Sequence, residues 1–208
     1  MSNFDTDQEK FWAGDFGDHY VERNQGEKLL ASNLHFFSNA LKHTNSVENC
    51  IEFGANIGMN IEAIKKLLPG VEFEAVEINK KASRILSKVI PKENIFENSI
   101  TKFNSERKWD LVLIKGVLIH INPDLLSEIY DILFKATKKY LLICEYYSRN
   151  PENITYRGFD NRLFKRDFAG EIIDKFPNLK LVDYGFSYHK DLNFPMDDIT
   201  WFLLKRSE

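Results

Sequence analysis

Short apolar runs alternate with stretches in which apolar residues recur every three or four positions, from residue 47 to about residue 146. Val47 to Phe53 is the first run and predicts strand one. Ile57 to Leu68 places Ile57, Ile61, Ile64 and Leu68 on one helical face, and Pro69-Gly70 ends that helix. Val71 to Ile78 predicts strand two, Lys80 to Val89 a helix, and Ile95 to Asn98 a short strand three. Trp109 to Ile114 is nearly all apolar, as a strand covered on both faces requires. Asn122-Pro123-Asp124 supplies a cap with proline in the first turn of a helix that runs to about Lys138. Tyr140 to Tyr146 predicts strand five.

The two ends break this rhythm. Residues 5 to 24 set Phe11, Trp12, Phe16 and Tyr20 among acids and predict a short helix and a turn at Gly14 and Gly17. Residues 26 to 43 carry Leu29, Leu30, Leu34, Phe37 and Leu41 at helical spacing. Near the other end, Asn161 to Phe176 contains a helix broken by Pro177. Leu179 to Tyr188 and Ile199 to Lys205 then read as two strands with no helix between them, so they should pair antiparallel. The order predicts an α/β, doubly wound, Rossmann-like sheet, mostly parallel, with an antiparallel C-terminal strand pair and helices on both faces. No boundary divides residues 1–208, so one domain is expected.

Composition narrows the function classes. The chain has 208 residues, 43% hydrophobic and 28% charged, enough for one sizeable core. A net charge of −3 gives no global field toward nucleic acid or anionic lipid. Cys50 and Cys144 both sit in apolar runs and read as buried free thiols of a reducing cytoplasm, and no metal-type Cys/His spacing occurs. No stretch approaches the roughly 20 apolar residues of a membrane span. Met1 to Gln8 is polar and acidic, which argues against a signal peptide and for a cytoplasmic location.

The candidate chemistry begins at Glu52-Phe53-Gly54-Ala55-Asn56-Ile57-Gly58-Met59-Asn60, between strand one and its helix. Gly54 allows a sharp turn and close approach of a ligand to the backbone, and Gly58 allows close packing at a helix start with outward N–H groups. Asn56 replaces the middle glycine of a dinucleotide fingerprint, but asparagine tolerates positive φ better than other side chains. Glu77 ends strand two, nineteen residues beyond Gly58, where a carboxylate can accept both hydroxyls of a ribose. Asn98-Ser99 follows strand three and can meet an adenine edge. The plainer readings are a tight β–α turn, a solvated strand-end acid and an ordinary turn residue. Together the three pieces place an adenosine-type ligand over strands one and two, at the switch point of the sheet.

These residues carry a family resemblance. Glu52-x-Gly54-x-Asn56-x-Gly58 resembles motif I of the class I S-adenosylmethionine-dependent methyltransferases, with Asn56 departing from its middle glycine. Glu77 falls at that family's ribose acid, Asn98-Ser99 at its adenine turn, and Lys115-Gly116-Val117 at its motif after strand four. The resemblance implies a seven-stranded sheet whose last two strands are antiparallel, and S-adenosyl-L-methionine held by Glu52, Gly54, Ala55, Asn56, Gly58, Glu77, Ile78, Asn98, Ser99 and Lys115. Longer strings are similar to the methyltransferases associated with pseudaminic acid biosynthesis: residues 11–18 (FWAGDFGD), 115–123 (KGVLIHINP), 162–170 (RLFKRDFAG) and 197–203 (DDITWFL). That likeness implies a small-molecule acceptor, a sugar or sugar nucleotide bearing an acid or phosphate. It also implies a division into an N-terminal cap (1–44), a cofactor core (45–147) and an acceptor-side segment (148–208).

Methyl transfer needs alignment, exclusion of water and, for some acceptors, a base. The catalytic candidates are His120 and Lys115 after strand four and Glu145 after strand five, each of which can equally be structural. Tyr20, Tyr146 and Tyr147 are candidate acceptor contacts, and Arg157 and Arg162 could bind a carboxylate or phosphate bidentately. Arg162 to Arg166 can also be the solvated start of a helix. Phe11, Trp12 and Tyr20 form either a lid or a plain cover for the core edge. A cofactor-binding partner subunit with weak turnover, or a methyltransferase acting on a different small acceptor, is the alternative, and the sequence leaves the oligomeric state and the methylated atom open. The low pI and the lack of an Asn-Pro-Pro-Tyr string disfavour a nucleic-acid substrate.

Overall fold

The computed structural model describes residues 4–23 and 26–207; Met1–Asn3 of the polar N-terminal stretch, and Asn24 of the first helix-and-turn segment, lie outside them. The elements are α1 (Asp7–Ala13), α2 (Asp15–Arg23), α3 (Glu27–Ala40), β1 (Asn49–Phe53), α4 (Met59–Leu67), β2 (Glu72–Val76) and α5 (Lys80–Leu86). They continue with β3 (Ile95–Phe96), β4 (Trp109–Lys115), α6 (Leu126–Ala136), β5 (Thr137–Glu145), β6 (Glu152–Tyr156), β7 (Phe159–Lys165), α7 (Phe168–Lys175), β8 (Leu179–Phe186) and β9 (Thr200–Arg206).

A seven-stranded sheet runs β3-β2-β1-β4-β5-β9-β8. The first five strands pair in parallel, while β9 is antiparallel to both β5 and β8. This is the mostly parallel sheet with an antiparallel end that the pattern predicts. The near-continuous apolar strands serve two cores. Leu111 and Leu113 of β4 point to one face, with Phe37, Ile61, Ile64 and Leu86 of α3, α4 and α5. Val112 and Ile114 point to the other, with Ile129, Leu133 and Ile172 of α6 and α7. Strand order reverses between β1 and β4, which opens a crevice at the carboxyl ends of the strands.

Three expectations change. Residues 152–165, where no strand is expected, form a separate antiparallel hairpin of β6 and β7, and Arg162 lies on a strand rather than at a helix start. Gly17 is a helical residue of α2, not a turn, and it is glycine because a Cβ there would overlap the Trp12 carbonyl oxygen. The helix after Asn122 begins as a 3₁₀ turn, Pro123–Leu125, and ends at Ala136. Extended Thr137 (φ −79°, ψ 121°) starts β5 there, and its Oγ1 donates to Leu133 O at 2.7 Å. No helix among the described residues is long and apolar enough to cross a membrane.

Candidate active site

The turn after β1 sets the floor of the site. Gly54 (φ 75°) and Asn56 (φ 49°) both take the left-handed conformation, so asparagine fills the place of a glycine. The Gly54 N–H donates to Val76 O at 2.8 Å, which ties the turn to the end of β2. Glu77 follows directly. Its Oε2 accepts from Asn56 N at 2.6 Å and its Oε1 from Asn79 N at 2.7 Å. Burial pushes the Glu77 carboxyl up to about 7, against the lowering effect of these backbone donors. A carboxylate has about four lone-pair positions, so acceptor capacity remains.

A cavity of about 640 Å³ lies over this turn. Gly54, Ala55, Asn56, Glu77, Ile78, Asn98 and Ser99 line one end. Lys115, His120, Tyr20, Tyr146 and Arg157 also line it, so twelve of the predicted site residues converge there. Five do not. Gly58 supports the turn from behind, where a Cβ would sit 2.7 Å from Leu86 Cδ1. Glu52 is fully buried beneath the floor and accepts from Asn60 Nδ2 at 2.7 Å; burial raises its carboxyl to about 8. Tyr147 is exposed and lies beside Phe202. Arg162 stacks its guanidinium over Phe11, 5.2 Å from the ring centre.

Glu145, expected as a candidate base, faces the backbone instead. Its Oε1 accepts from Val117 N and Leu118 N, both at 2.9 Å. The carboxylate braces the loop after β4, and burial raises it to about 7. His120 closes that loop as the last residue of the 3₁₀ turn Leu118–His120. Its Nδ1 lies 2.5 Å from Arg162 O. A carbonyl only accepts, so Nδ1 carries the proton and Nε2 the lone pair. Burial holds the ring down at about 4, which makes it a weak proton acceptor and a neutral hydrogen-bond partner.

The N-terminal helices roof the cavity, with Glu9, Trp12, Tyr20 and Val21 among its lining residues. Glu9 Oε2 accepts from Asp5 N and Thr6 N at 2.8 Å each, while its Oε1 accepts from Ser99 Oγ and, at 3.2 Å, from Thr101 Oγ1. Those hydrogen bonds outweigh the burial that would raise it and hold its carboxyl below the usual glutamate range. Asn79 caps α5 through Ala82 N and donates to Trp12 O (3.2 Å) and Asp18 Oδ1 (2.9 Å). The hairpin closes the side: Trp12 packs on His120 and Tyr156, with ring centres 4.5 and 6.4 Å away.

Sequence reasoning overlooked Glu9, Asn33, Asn79, His189 and Asp197, all of which line the cavity. Only Asn79 carried a local signal, a cap residue two positions after Glu77 and at the start of a helical pattern. Among the described residues, Trp12 Nε1, Asn33 Oδ1 and Asn56 Oδ1 are buried without a hydrogen-bond partner, polar groups that suit a polar ligand in the cavity.

No protein-family model and no curated protein matches the sequence. Solved structures do. A Burkholderia thailandensis 1,6-didemethyltoxoflavin-N1-methyltransferase with bound 1,6-didemethyltoxoflavin and S-adenosylhomocysteine matches 97% of this chain and 87% of its own, at 12% identity and a TM-score of 0.70. The plantazolicin methyltransferase BpumL in complex with S-adenosylhomocysteine matches 97% and 94%, at 12% identity and 0.65. The magnesium protoporphyrin IX methyltransferase from Synechocystis PCC 6803 with bound S-adenosylmethionine matches 99% and 100%, at 12% identity and 0.63. A sheet of this order, covered end to end by such structures, gives the chain the class I S-adenosylmethionine-dependent methyltransferase fold.

Proposed function

We propose that the protein transfers a methyl group from S-adenosylmethionine to a small-molecule acceptor, and that the acceptor is a sugar or sugar nucleotide bearing a carboxylate or phosphate. The observation that carries the reading is the Glu77 carboxylate, joined to the Asn56 N–H of the glycine turn and lining a cavity that continues past Lys115 and His120 to Arg157. Glu77 receives the ribose hydroxyls, Asn98 and Ser99 the adenine edge, and the turn from Gly54 to Asn56 the backbone-side contacts. When bound, the cofactor supplies a methyl group activated by its positive sulfur.

The remaining residues handle the acceptor. Tyr20, Tyr146 and Tyr156, with Trp12 and His120, give an aromatic wall against which a sugar ring can pack. His120 presents a neutral acceptor atom that orients a hydroxyl. Arg157 supplies the charge for an acidic group. It holds φ 51° at the tip of the hairpin, a conformation costly for an arginine and persistent where the surroundings require it. The sugar itself is supported by the resemblance of the four long strings and by Arg157, and the relatives of known structure act on other molecules.

Calorimetry with S-adenosylmethionine, S-adenosylhomocysteine and NAD tests the cofactor: binding of the first two is expected, and tight NAD binding without them overturns the reading. Incubation with S-adenosylmethionine and a mixture of nucleotide sugars, read by mass spectrometry, tests the acceptor. A gain of one methylene mass is expected. Methylation of neutral aromatic compounds with every sugar left untouched would refute the sugar assignment.

A further inference from the structure

We propose that His189 and Asp198 form a catalytic dyad at the acceptor end of the cavity, and that the methyl acceptor is therefore a hydroxyl group. The proposal rests on the methyltransferase reading above. Both residues lie in the connection between β8 and β9. That connection extends the hairpin beyond its last pair, Phe186 and Thr200, since Ser187 N–H donates to Ile199 O at 2.9 Å. His189 and Asp198 thus face each other across it.

The carboxylate holds His189 twice. Oδ1 accepts from the His189 backbone N–H at 3.0 Å, and the ring Nδ1 lies 2.8 and 2.9 Å from Oδ1 and Oδ2. An ionised carboxylate only accepts, so Nδ1 carries the ring proton and Nε2 the free lone pair. His189 lines the cavity and Asp198 does not. A carboxylate behind an imidazole fixes the tautomer and stabilises the imidazolium that forms when the ring takes a proton. Both side chains are about half exposed, and a contact this open to water adds little to folding, so stability gives little reason for the arrangement.

Two of the other candidate bases are poorly suited. Burial makes His120 a weak proton acceptor, and Glu145 is turned to the backbone. Beside His189 the cavity wall carries Asp197, which accepts a hydrogen bond from the Tyr146 hydroxyl, and the apolar Met196. A neutral amine can attack with its own lone pair and lose a proton afterwards, whereas a hydroxyl gains from a base acting during transfer. As the acceptor oxygen bonds to the methyl carbon, the carbon–sulfur bond breaks and its electron pair stays on sulfur. The acceptor O–H bond breaks, and its proton passes to Nε2 of His189, leaving an imidazolium beside the Asp198 carboxylate.

Diethyl pyrocarbonate labelling, mapped by peptide mass spectrometry, tests the dyad without cofactor or acceptor. His189 should label several-fold faster than exposed His19, and Asp198→Asn should abolish the excess. His189→Ala should keep its affinity for S-adenosylhomocysteine and lose about 10²–10⁴-fold in methyl transfer to the nucleotide-sugar mixture, with part restored by added imidazole. Equal labelling of His189 and His19, no effect of Asp198→Asn, wild-type transfer by His189→Ala, loss of its S-adenosylhomocysteine binding, or an N-methylated product would each overturn the proposal. A wild-type protein that binds neither S-adenosylmethionine nor S-adenosylhomocysteine refutes the methyltransferase reading instead, and the labelling still decides the dyad.

Discussion

Val117 leans across the turn after β1 so closely that a Cβ on Gly54 would overlap its Cγ2. The two residues belong to different β–α connections, so the cofactor turn and the loop carrying His120 pack as one unit. Gly54→Ala meets two separate penalties. The left-handed φ of 75° costs an L-residue about 1–2 kcal/mol, and the overlap adds about 1–3 kcal/mol. The double variant Gly54→Ala/Val117→Ala removes the overlap and leaves the φ penalty. Urea denaturation should therefore place the double variant above Gly54→Ala in stability, after correction for Val117→Ala alone. Simple additivity would mean that the two loops are not coupled.

Glu145 allows a sharper separation of charge from geometry. Its Oε1 serves two N–H groups of the loop after β4. Glu145→Ala leaves both donors unpaired at about 1–3 kcal/mol each, while Glu145→Gln keeps a carbonyl oxygen in place. Hydrogen exchange of residues 116–121 should accelerate strongly in Glu145→Ala and little in Glu145→Gln. Comparable exchange in the two variants would show that the ionised carboxylate, and not the acceptor oxygen, is what braces the loop.

The roof of the cavity hangs on Asn79. Its Oδ1 caps α5 and its Nδ2 holds α1 and α2 through Trp12 O and Asp18 Oδ1. Asp at this position retains the cap but turns a second carboxylate toward Asp18 and the Trp12 carbonyl. Asn79→Asp should lower stability by about 1–3 kcal/mol, open residues 5–23 to limited proteolysis and weaken S-adenosylhomocysteine binding. Unchanged cleavage in the presence and absence of that ligand, in both proteins, would argue that the helices are a fixed cover rather than a lid.

The hairpin turn isolates the role of Arg157. Asn adopts φ near 51° more readily than Arg, so Arg157→Asn removes the guanidinium without straining the turn. The expected result is a raised KM for an acidic sugar, unchanged S-adenosylhomocysteine affinity and equal or higher thermal stability. An unchanged KM would remove Arg157 from the acceptor site.

The parallel core was legible because both faces of its strands are covered, so Trp109 to Ile114 could be read without alternation to resolve. Glu77 and the Gly54 turn were legible because their spacing follows from the geometry of one β–α–β unit. The β6–β7 hairpin was not. Its strands carry polar residues on both faces and bury Leu163 and Phe164 side by side, which breaks the alternation of a strand, and its two-residue turn is Arg157-Gly158, with φ 51° and 85°, where Asn-Gly or Asp-Gly is the usual signal. That omission hid the surroundings of Arg162 and Tyr156. Glu145 and His120 were placed near the site by their strand ends, but no sequence feature says whether a side chain faces a cavity or a backbone. His189 and Asp198 lie in a polar loop whose course is set by the pairing of β8 with β9 and by long-range contacts such as Met196 in the core and Phe194 on His35.

Three buried carboxyls give the folded chain a pH dependence opposite to that of most paired acids. Burial raises Glu52 to about 8 and Glu77 and Glu145 to about 7. The folded state therefore binds protons more tightly than the unfolded chain between about pH 4.5 and 8, and stability rises as pH falls through that window. His120 acts in the reverse sense: held at about 4, it stays neutral while the unfolded histidine takes a proton below about 6.5. Glu9, held below the usual range, loses its contribution only at lower pH still. The carboxyls thus dominate between about pH 8.5 and 6.5, where Glu9 does not titrate and the unfolded His120 only begins to take up its proton. Denaturation of the ligand-free protein should show greater stability at the lower of those values, and Glu52→Gln should flatten the slope by removing the most strongly raised group. A stability that instead falls from about pH 8.5 to 6.5 would mean that these carboxyls remain ionised in the fold, with Lys115, the cation nearest Glu52 and Glu145, compensating them more fully than their burial implies.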